Sequence, residues 1–355
     1  MQGICYTTHK VTRVNEVRLK VKVTRKMVAD RAKVSEATVS YVINGSKYVS
    51  PEIVKRVRDS ITELNYYPDF AARSMVKKDS SQISVYLMDL ANVYFGELIS
   101  GIEKAATKQN YFVNVSSSNV DIKKYIGNVI ARRYDGVYIS AMVSEEYTSQ
   151  IRSLLDNGIK VVISNYYPYF KDEVSHIDID TRAGVSEQIK YLSECGHENI
   201  VYLSAFPKDY VWDGRVSGYF DGMCKYLSKS EPLVLYSENI VTTVESGYNL
   251  CKKFLETGKK ATALMTTNDL MAFGIIECLQ EHGIRVPDDI SVVGFDNNNL
   301  AGSLFPRLTT SGFDNFEFGN TIFDMLFNAI KNDKREDIWL KPKLYIRNTV
   351  KDLKN

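Results

Sequence analysis

The sequence predicts an α/β protein: a small all-α head joined to a two-lobed body of doubly wound parallel sheets. Two patterns and a charge split lead there. Residues 25–44, RKMVADRAKVSEATVSYVIN, read as two short helices broken by a tight turn. From residue 83 onward, β-rich apolar runs alternate with helical patterns, the signature of parallel sheets covered by helices. Residues 1–78 hold sixteen Lys/Arg against seven Asp/Glu, a net +9, while the remaining 277 residues hold twenty-nine against thirty-six, a net −7. A basic head on an acidic body fits nucleic-acid contact confined to one end.

In the head, Val28, Ala29, Ala32, Val34, Val39 and Val42 fall where two crossing helices share a core. Ser35 is placed to cap the second helix, leaving Glu36, Ala37, Ser40 and Tyr41 facing outward. This is the pattern of a helix-turn-helix, whose second helix enters the DNA major groove. A third helix follows, with Ser50 as N-cap, Pro51 in the first turn and Glu52 at the positive helix end. Its Val54, Val57, Ile61 and Leu64 recur at helical spacing and close the core. Pro68 ends the unit, so the head spans 22–68 and a short hinge segment with linker spans 69–82. Residues 1–21 lack an apolar h-region; they read as a poorly ordered extension, or as translation ahead of the true start.

In the body, 83–355, strands are expected at 83–87, 111–115, 136–140, 160–163, 175–179, 200–203, 233–236, 263–266, 291–295 and 343–349. Helices fit at 95–109, 181–194 and 269–282. So many strands require two sheets, hence two lobes with a cleft between them. We expect one lobe at about 83–178 plus 311–335 and the other at about 179–310 plus 336–355.

Several classes are disfavoured. The five cysteines are scattered without a C-x-x-C pair, which fits reduced thiols in the cytoplasm. The four histidines show no metal-ligand spacing. No apolar run approaches the roughly 18 residues of a membrane span. No G-x-G-x-x-G follows the first strand, no P-loop is present and no nucleophile–base arrangement is evident. We therefore assign no catalytic residue, metal or cofactor. A solute-binding protein of a transporter remains an alternative for the body, but the basic head and the lack of a signal peptide count against it.

The motifs carry a resemblance to the LacI/GalR family of bacterial transcriptional repressors. They are VADRAKVSEATVS (28–40), VING (42–45), Val49-Ser50 and LNYYP (64–68); the hinge-like AARSM (71–75); and, in the body, YDG (134–136), CGH (195–197), NDLM (268–271), VPDDISVVGFD (286–296) and LTT (308–310). The family's body is similar to type I periplasmic binding proteins. The resemblance implies that Glu36, Ala37 and Tyr41 read bases, while Thr38, Ser40 and Asn44 bond phosphates. It implies a hinge, with Arg73, that folds on the operator and inserts Met75 into the minor groove. Effector contacts are implied at Asn165, Arg215, Asn268 and Asp296; Asn92, Tyr94 and Phe95 occupy the first strand-to-helix loop and Trp212 precedes Arg215.

The sequence departs from the family's pattern twice: Lys33 stands where Gly is usual at the turn, and Tyr41 where Arg is common. The expected function is that of a repressor of carbohydrate utilisation, controlled by a sugar or sugar phosphate in the interlobe cleft. A purine- or nucleoside-responsive co-repressed regulator is the alternative. The partners expected are double-stranded operator DNA, the effector and a second copy of the chain; without a leucine-rich tail before Asn355, the assembly expected is a dimer.

Overall fold

The computed structural model describes residues 23–67, 80–140, 145–164, 170, 172–210 and 212–354. The chain divides into two compact units, 1–78 and 79–355.

The first unit is a three-helix bundle of α1 (Arg25–Ala32), α2 (Glu36–Asn44) and α3 (Pro51–Glu63). Val28, Ala29, Ala32, Val39 and Val57 are buried at its centre, with Val34, Val42, Ile61 and Leu64 packed around them. Ser35 Oγ accepts from the Thr38 amide at 3.1 Å, fixing where α2 begins. Ser50 occupies the N-cap of α3 but makes no side-chain cap bond. Lys33 closes α1 in the left-handed conformation, φ 53° and ψ 51°. The turn is thus built with a side chain where its geometry favours glycine. Lys33→Gly is expected to stabilise the head by a few tenths to about 1 kcal/mol, read as a rise in its melting temperature; an unchanged or lower melting point would show that Lys33 bears no net strain.

The second unit holds two six-stranded sheets. The first contains β1 (Gln82–Leu87), β2 (Phe112–Ser117), β3 (Gly136–Ser140), β4 (Lys160–Ser164), β5 (Ser175–Ile179) and β11 (Asp337–Leu340), in the order β11-β5-β4-β3-β1-β2. Every pairing in it is parallel. The second contains β6 (Ile200–Ser204), β7 (Leu233–Tyr236), β8 (Ala263–Thr266), β9 (Ser291–Phe295), β10 (Thr309–Gly312) and β12 (Lys343–Tyr345), ordered β12-β10-β9-β8-β6-β7. It is parallel except where β12 runs against β10.

Helices α4 (Val93–Lys108), α5 (Ile122–Ala131), α6 (Glu145–Asp156) and α12 (Asn315–Asn332) pack within the first lobe, and α7 (Thr181–Glu194), α8 (Gly214–Tyr226), α9 (Val244–Glu256), α10 (Asp269–Glu281) and α11 (Asn299–Ser303) belong to the second. α4 and α12 touch backbone to backbone: a Cβ on Gly101 would lie 2.0 Å from the Phe316 carbonyl, and one on Gly319 2.1 Å from that of Leu98. That contact fixes α4, whose first turn faces the cleft.

Three expected boundaries need correction. The lobe break placed after residue 178 would cut off Ile179, which pairs with Leu340 in the first sheet. The lobe break placed after residue 310 would cut through β10, which lies whole in the second sheet. The break placed after 335 assigns 337–340 to the second lobe, yet Asp337–Leu340 pairs in parallel with β5 of the first, Trp339 opposite Asp178. The crossings fall after Ile179, after Gly312 and after Leu340. The last strand is shorter than the expected 343–349, ending at Tyr345.

Candidate DNA-reading face and effector cleft

On the head, Glu36, Ala37 and Asn44 are exposed and Thr38, Ser40 and Tyr41 half-buried. All six lie on α2, the second helix of the turn. Several already have intramolecular partners. The Ser35 and Thr38 hydroxyls lie 2.9 Å apart, Asn44 Nδ2 donates to Ser40 Oγ at 3.1 Å, and Lys47 Nζ stands 4.9 Å from the Tyr41 ring centroid. Glu36 forms a loose, exposed ion pair with Arg25, 3.7 Å. Such contacts are weak enough to exchange for phosphate or base contacts. The expected contacts Arg73 and Met75 lie outside the described residues.

In the body, Asn92, Tyr94, Phe95, Trp212, Arg215, Asn268 and Asp296 line one cavity of about 960 Å³ between the lobes. Asn165 lies outside the described residues. The cavity opens where the strands end and their helices begin, the place where open α/β sheets bind ligands. Its polar residues are largely helix caps. Asn92 Oδ1 accepts from the Tyr94 amide at 3.1 Å, and Asp213 Oδ1 from the Arg215 amide at 2.9 Å. Asn268 Oδ1 accepts from the Met271 amide at 3.0 Å while its Nδ2 donates to the Thr242 carbonyl at 3.1 Å. Asn268 is therefore both a cap and a wall residue, with one Nδ2 hydrogen and one Oδ1 lone pair left for a ligand.

The chemical centre is Arg215. Its guanidinium is hydrogen-bonded to Asp213, lies 3.5 Å from Asp296 Oδ1 and sits 4.7 Å over the Phe295 ring. Burial acts against its charge, but the carboxylates of Asp213 and Asp296 outweigh it and hold the guanidinium above its ordinary range. Arg215 Nε is buried with no hydrogen-bond partner. Burial pushes the Asp296 carboxyl up to about 7; Arg215 opposes the rise and Asp213 adds to it. Asp296 also has φ 106°, a conformation rare for any residue with a side chain. Its backbone is held by its amide donating to the Ser311 carbonyl (2.8 Å) and its carbonyl accepting from Asn315 Nδ2 (3.3 Å).

Glu97 ties this centre to the first lobe. From α4, its Oε1 accepts from the Asn299 amide at 2.7 Å, and its Oε2 accepts from Asn315 Nδ2 at 3.0 Å. Asn315 thus bonds both Glu97 and the Asp296 carbonyl.

Aromatic rings supply the apolar walls. The Tyr94 and Phe95 rings meet edge to face at 5.1 Å, and Phe206 stacks on Tyr210 at 4.9 Å. Burial pushes the Tyr94 hydroxyl well above its usual range. Phe95 also belongs to the main hydrophobic core, so it shapes the cavity as part of the scaffold. Residues that the sequence reading did not select include Asp178, Asp213, Tyr138, Tyr210 and Trp339. Asp213 was within reach, since a carboxylate two residues before a buried Arg at a helix start is a capping signal. Trp339 was not, because no strand was expected at 337–340 and that stretch was placed in the other lobe.

Residues 24–69 match the profile "Bacterial regulatory proteins, lacI family", and residues 189–350 match "Periplasmic binding protein-like domain". The HTH-type transcriptional repressor PurR of Vibrio campbellii is 31% identical over 339 residues, covering 93% of this chain and 99% of that protein. Catabolite control protein A of Priestia megaterium is 30% identical over 291 residues, covering 80% and 85%. Among solved structures, the lac repressor dimer bound to operator and the anti-inducer ONPF superposes with a TM-score of 0.80 at 25% identity, covering 93% of this chain and 100% of that one. A complex of the regulator CelR with cellobiose, at 24% identity and a TM-score of 0.68, covers 92% and 99% and shares the fold. These relatives are transcriptional regulators, not enzymes. The chain belongs to the LacI family of bacterial regulatory proteins, as a DNA-binding transcriptional repressor whose α/β body is a ligand-binding effector domain.

Proposed function

We propose that this repressor works in the cytoplasm as a homodimer on a pseudo-palindromic operator, and that a small carbohydrate in the interlobe cleft controls its operator affinity. The observation that carries the reading is the convergence of Asn92, Arg215, Asn268 and Asp296 with aromatic walls in one cavity, in a unit separate from the helix-turn-helix. Amide, carboxylate and guanidinium groups bond ring hydroxyls, and aromatic faces cover a sugar's C–H surface.

In the head, Glu36, Ala37 and Tyr41 read base edges, with Glu36 accepting from a cytosine amino group and Ala37 meeting a thymine methyl. Thr38, Ser40 and Asn44 bond phosphates and set the register. Arg73 and the Met75 wedge act in the minor groove, and Asn165 adds a polar contact in the cleft. A purine or nucleoside effector is the second reading, favoured by the relatives named PurR.

The test is a panel of sugars, sugar phosphates, purines and nucleosides, scored by thermal stabilisation and then by operator affinity. A cleft ligand is expected to change operator affinity by the same factor by which operator changes its own affinity. A compound that binds the cleft and leaves operator affinity untouched would overturn the regulatory reading. Sedimentation at micromolar concentration is expected to show a dimer; a tetramer would contradict the assembly proposed.

A further inference from the structure

The chain has two tryptophans, and both line the same cavity from opposite lobes. Trp212 precedes α8 in the second lobe, and Trp339 lies on β11 of the first. Each is large, apolar and incompletely covered, 42% and 57% exposed. Neither is needed to fill the main core, which lies elsewhere. The His176 ring packs against Trp339, 5.0 Å between ring centroids. The cavity's volume, about 960 Å³, lies near the top of the ~300–1,000 Å³ range of ligand pockets. The Arg215–Asp296 centre accounts for one polar ring and leaves much of that space to the aromatic walls.

Charge narrows the class of ligand. Among the described residues, the lining contains five aspartates against two arginines, Arg182 and Arg215. Arg215 is held by Asp213 and Asp296 in a buried cluster, and Arg182 bonds Asp221 at 2.6 and 3.1 Å in an exposed pair at the cleft's rim. Four helix N-termini that reach the cleft each have one amide capped by a side chain, Asn92, Asp180, Asp213 and Asn268. Among the described residues, a phosphate or carboxylate entering here would meet net negative charge and, at the buried end, an arginine already neutralised by two carboxylates.

Resting on the cleft reading above, we propose that the effector is a neutral oligosaccharide of at least two rings. One ring bonds at the Arg215–Asp296 end, and a further ring stacks on Trp212 and Trp339. The two tryptophans form an outer subsite that sets ligand length, and the excess of carboxylates in the lining rejects sugar phosphates.

The full-length protein is titrated with glucose, glucose 6-phosphate, hypoxanthine and the neutral di- and trisaccharides cellobiose, maltose, lactose, cellotriose and maltotriose. Binding is read by calorimetry and tryptophan emission. Trp212→Phe and Trp339→Phe each leave one tryptophan, so each platform reports separately. A neutral di- or trisaccharide is expected to bind at least ten-fold tighter than glucose and to shift both emissions. Trp339→Ala is expected to weaken that ligand by about ten-fold, as for loss of an aromatic stacking contact, without changing glucose binding.

The proposal fails if glucose 6-phosphate or hypoxanthine binds better than every neutral oligosaccharide, or if glucose binds as tightly as the longer sugars. It fails equally if neither emission moves on binding, or if no neutral sugar in the panel binds. Asp296→Asn separates this failure from that of the cleft reading. A phosphate or purine ligand lost in that variant keeps the cleft as the effector site and removes the oligosaccharide; a ligand indifferent to it removes both.

Discussion

Arg215→Ala is expected to abolish the effector response and to destabilise the effector domain by about 3–5 kcal/mol, the usual cost of removing one partner from a buried ion pair. The side chains of Arg215, Asp213 and Asp296 are 16%, 12% and 11% exposed, so solvent does little to screen them. Truncation leaves two carboxylates at the end of the cleft without their counter-charge and uncovers the Phe295 face. The penalty depends on pH in a defined direction. The Asp296 carboxyl, already pushed to about 7, rises further once the guanidinium is gone. Protonation then relieves the repulsion, so the variant loses more stability at pH 8 than at pH 5. Thermal melts at the two pH values check this, and adding Asp296→Asn should recover part of the loss as a measurable coupling. Equal melting of variant and wild type at pH 8 would show that the triad contributes no net stability. Operator binding by the folded fraction, with no effector present, should be retained.

Much of this arrangement was legible in the sequence because its elements follow simple periodicities. The strand Ser291–Phe295 is buried along its whole length and reads as an apolar run, and the helix Thr181–Glu194 has the bounds expected of it. Ser35 before Glu36 marked the start of α2, and the capping bond is there. The reading failed where burial and hydrophobicity part company. Thr309–Gly312 is fully buried yet composed of Thr, Ser and Gly; the Thr310 hydroxyl donates to the buried Asp269 carboxylate, and the Thr309 amide donates to the Thr349 hydroxyl. Periodicity cannot see such a strand. Asp337–Leu340 is a short edge strand with alternate residues exposed; only the ladder to β5 reveals its lobe, and with it Trp339. In the cleft, sequence could name Arg215 and Asp296, but not that Asp213 shares the arginine, nor that Asn268 spends its amide on a cap and a carbonyl.

Asp296→Asn is the sharper test of the cleft, because asparagine tolerates positive φ better than alanine does. At φ 106° an alanine would bring backbone strain with the lost charge, and a changed response could then be read either way. Asparagine keeps the shape and an acceptor while removing the ionisable group beside Arg215. Effector affinity is expected to fall by on the order of 10–100-fold, consistent with losing a charged hydrogen-bonding partner. Operator affinity without effector should stay at the wild-type value, since the proposed reading face is on α2, in a separate unit.

A second readout follows from linkage. The folded carboxyl holds its proton up to about 7 against an ordinary value of 3.8. Between those values the folded state binds more protons than the unfolded one, so wild-type stability falls as pH rises through that window and levels off above it. A displacement of that size corresponds to at most about 4 kcal/mol. Asp296→Asn has no proton to lose there. Its stability relative to wild type should therefore climb from pH 4 to pH 7 and then stay flat. Parallel pH profiles for the two proteins would mean that Asp296 is ionised throughout and that its burial carries no such penalty. A climbing profile combined with unchanged effector affinity would leave the carboxyl buried and protonating as described, but outside the ligand site.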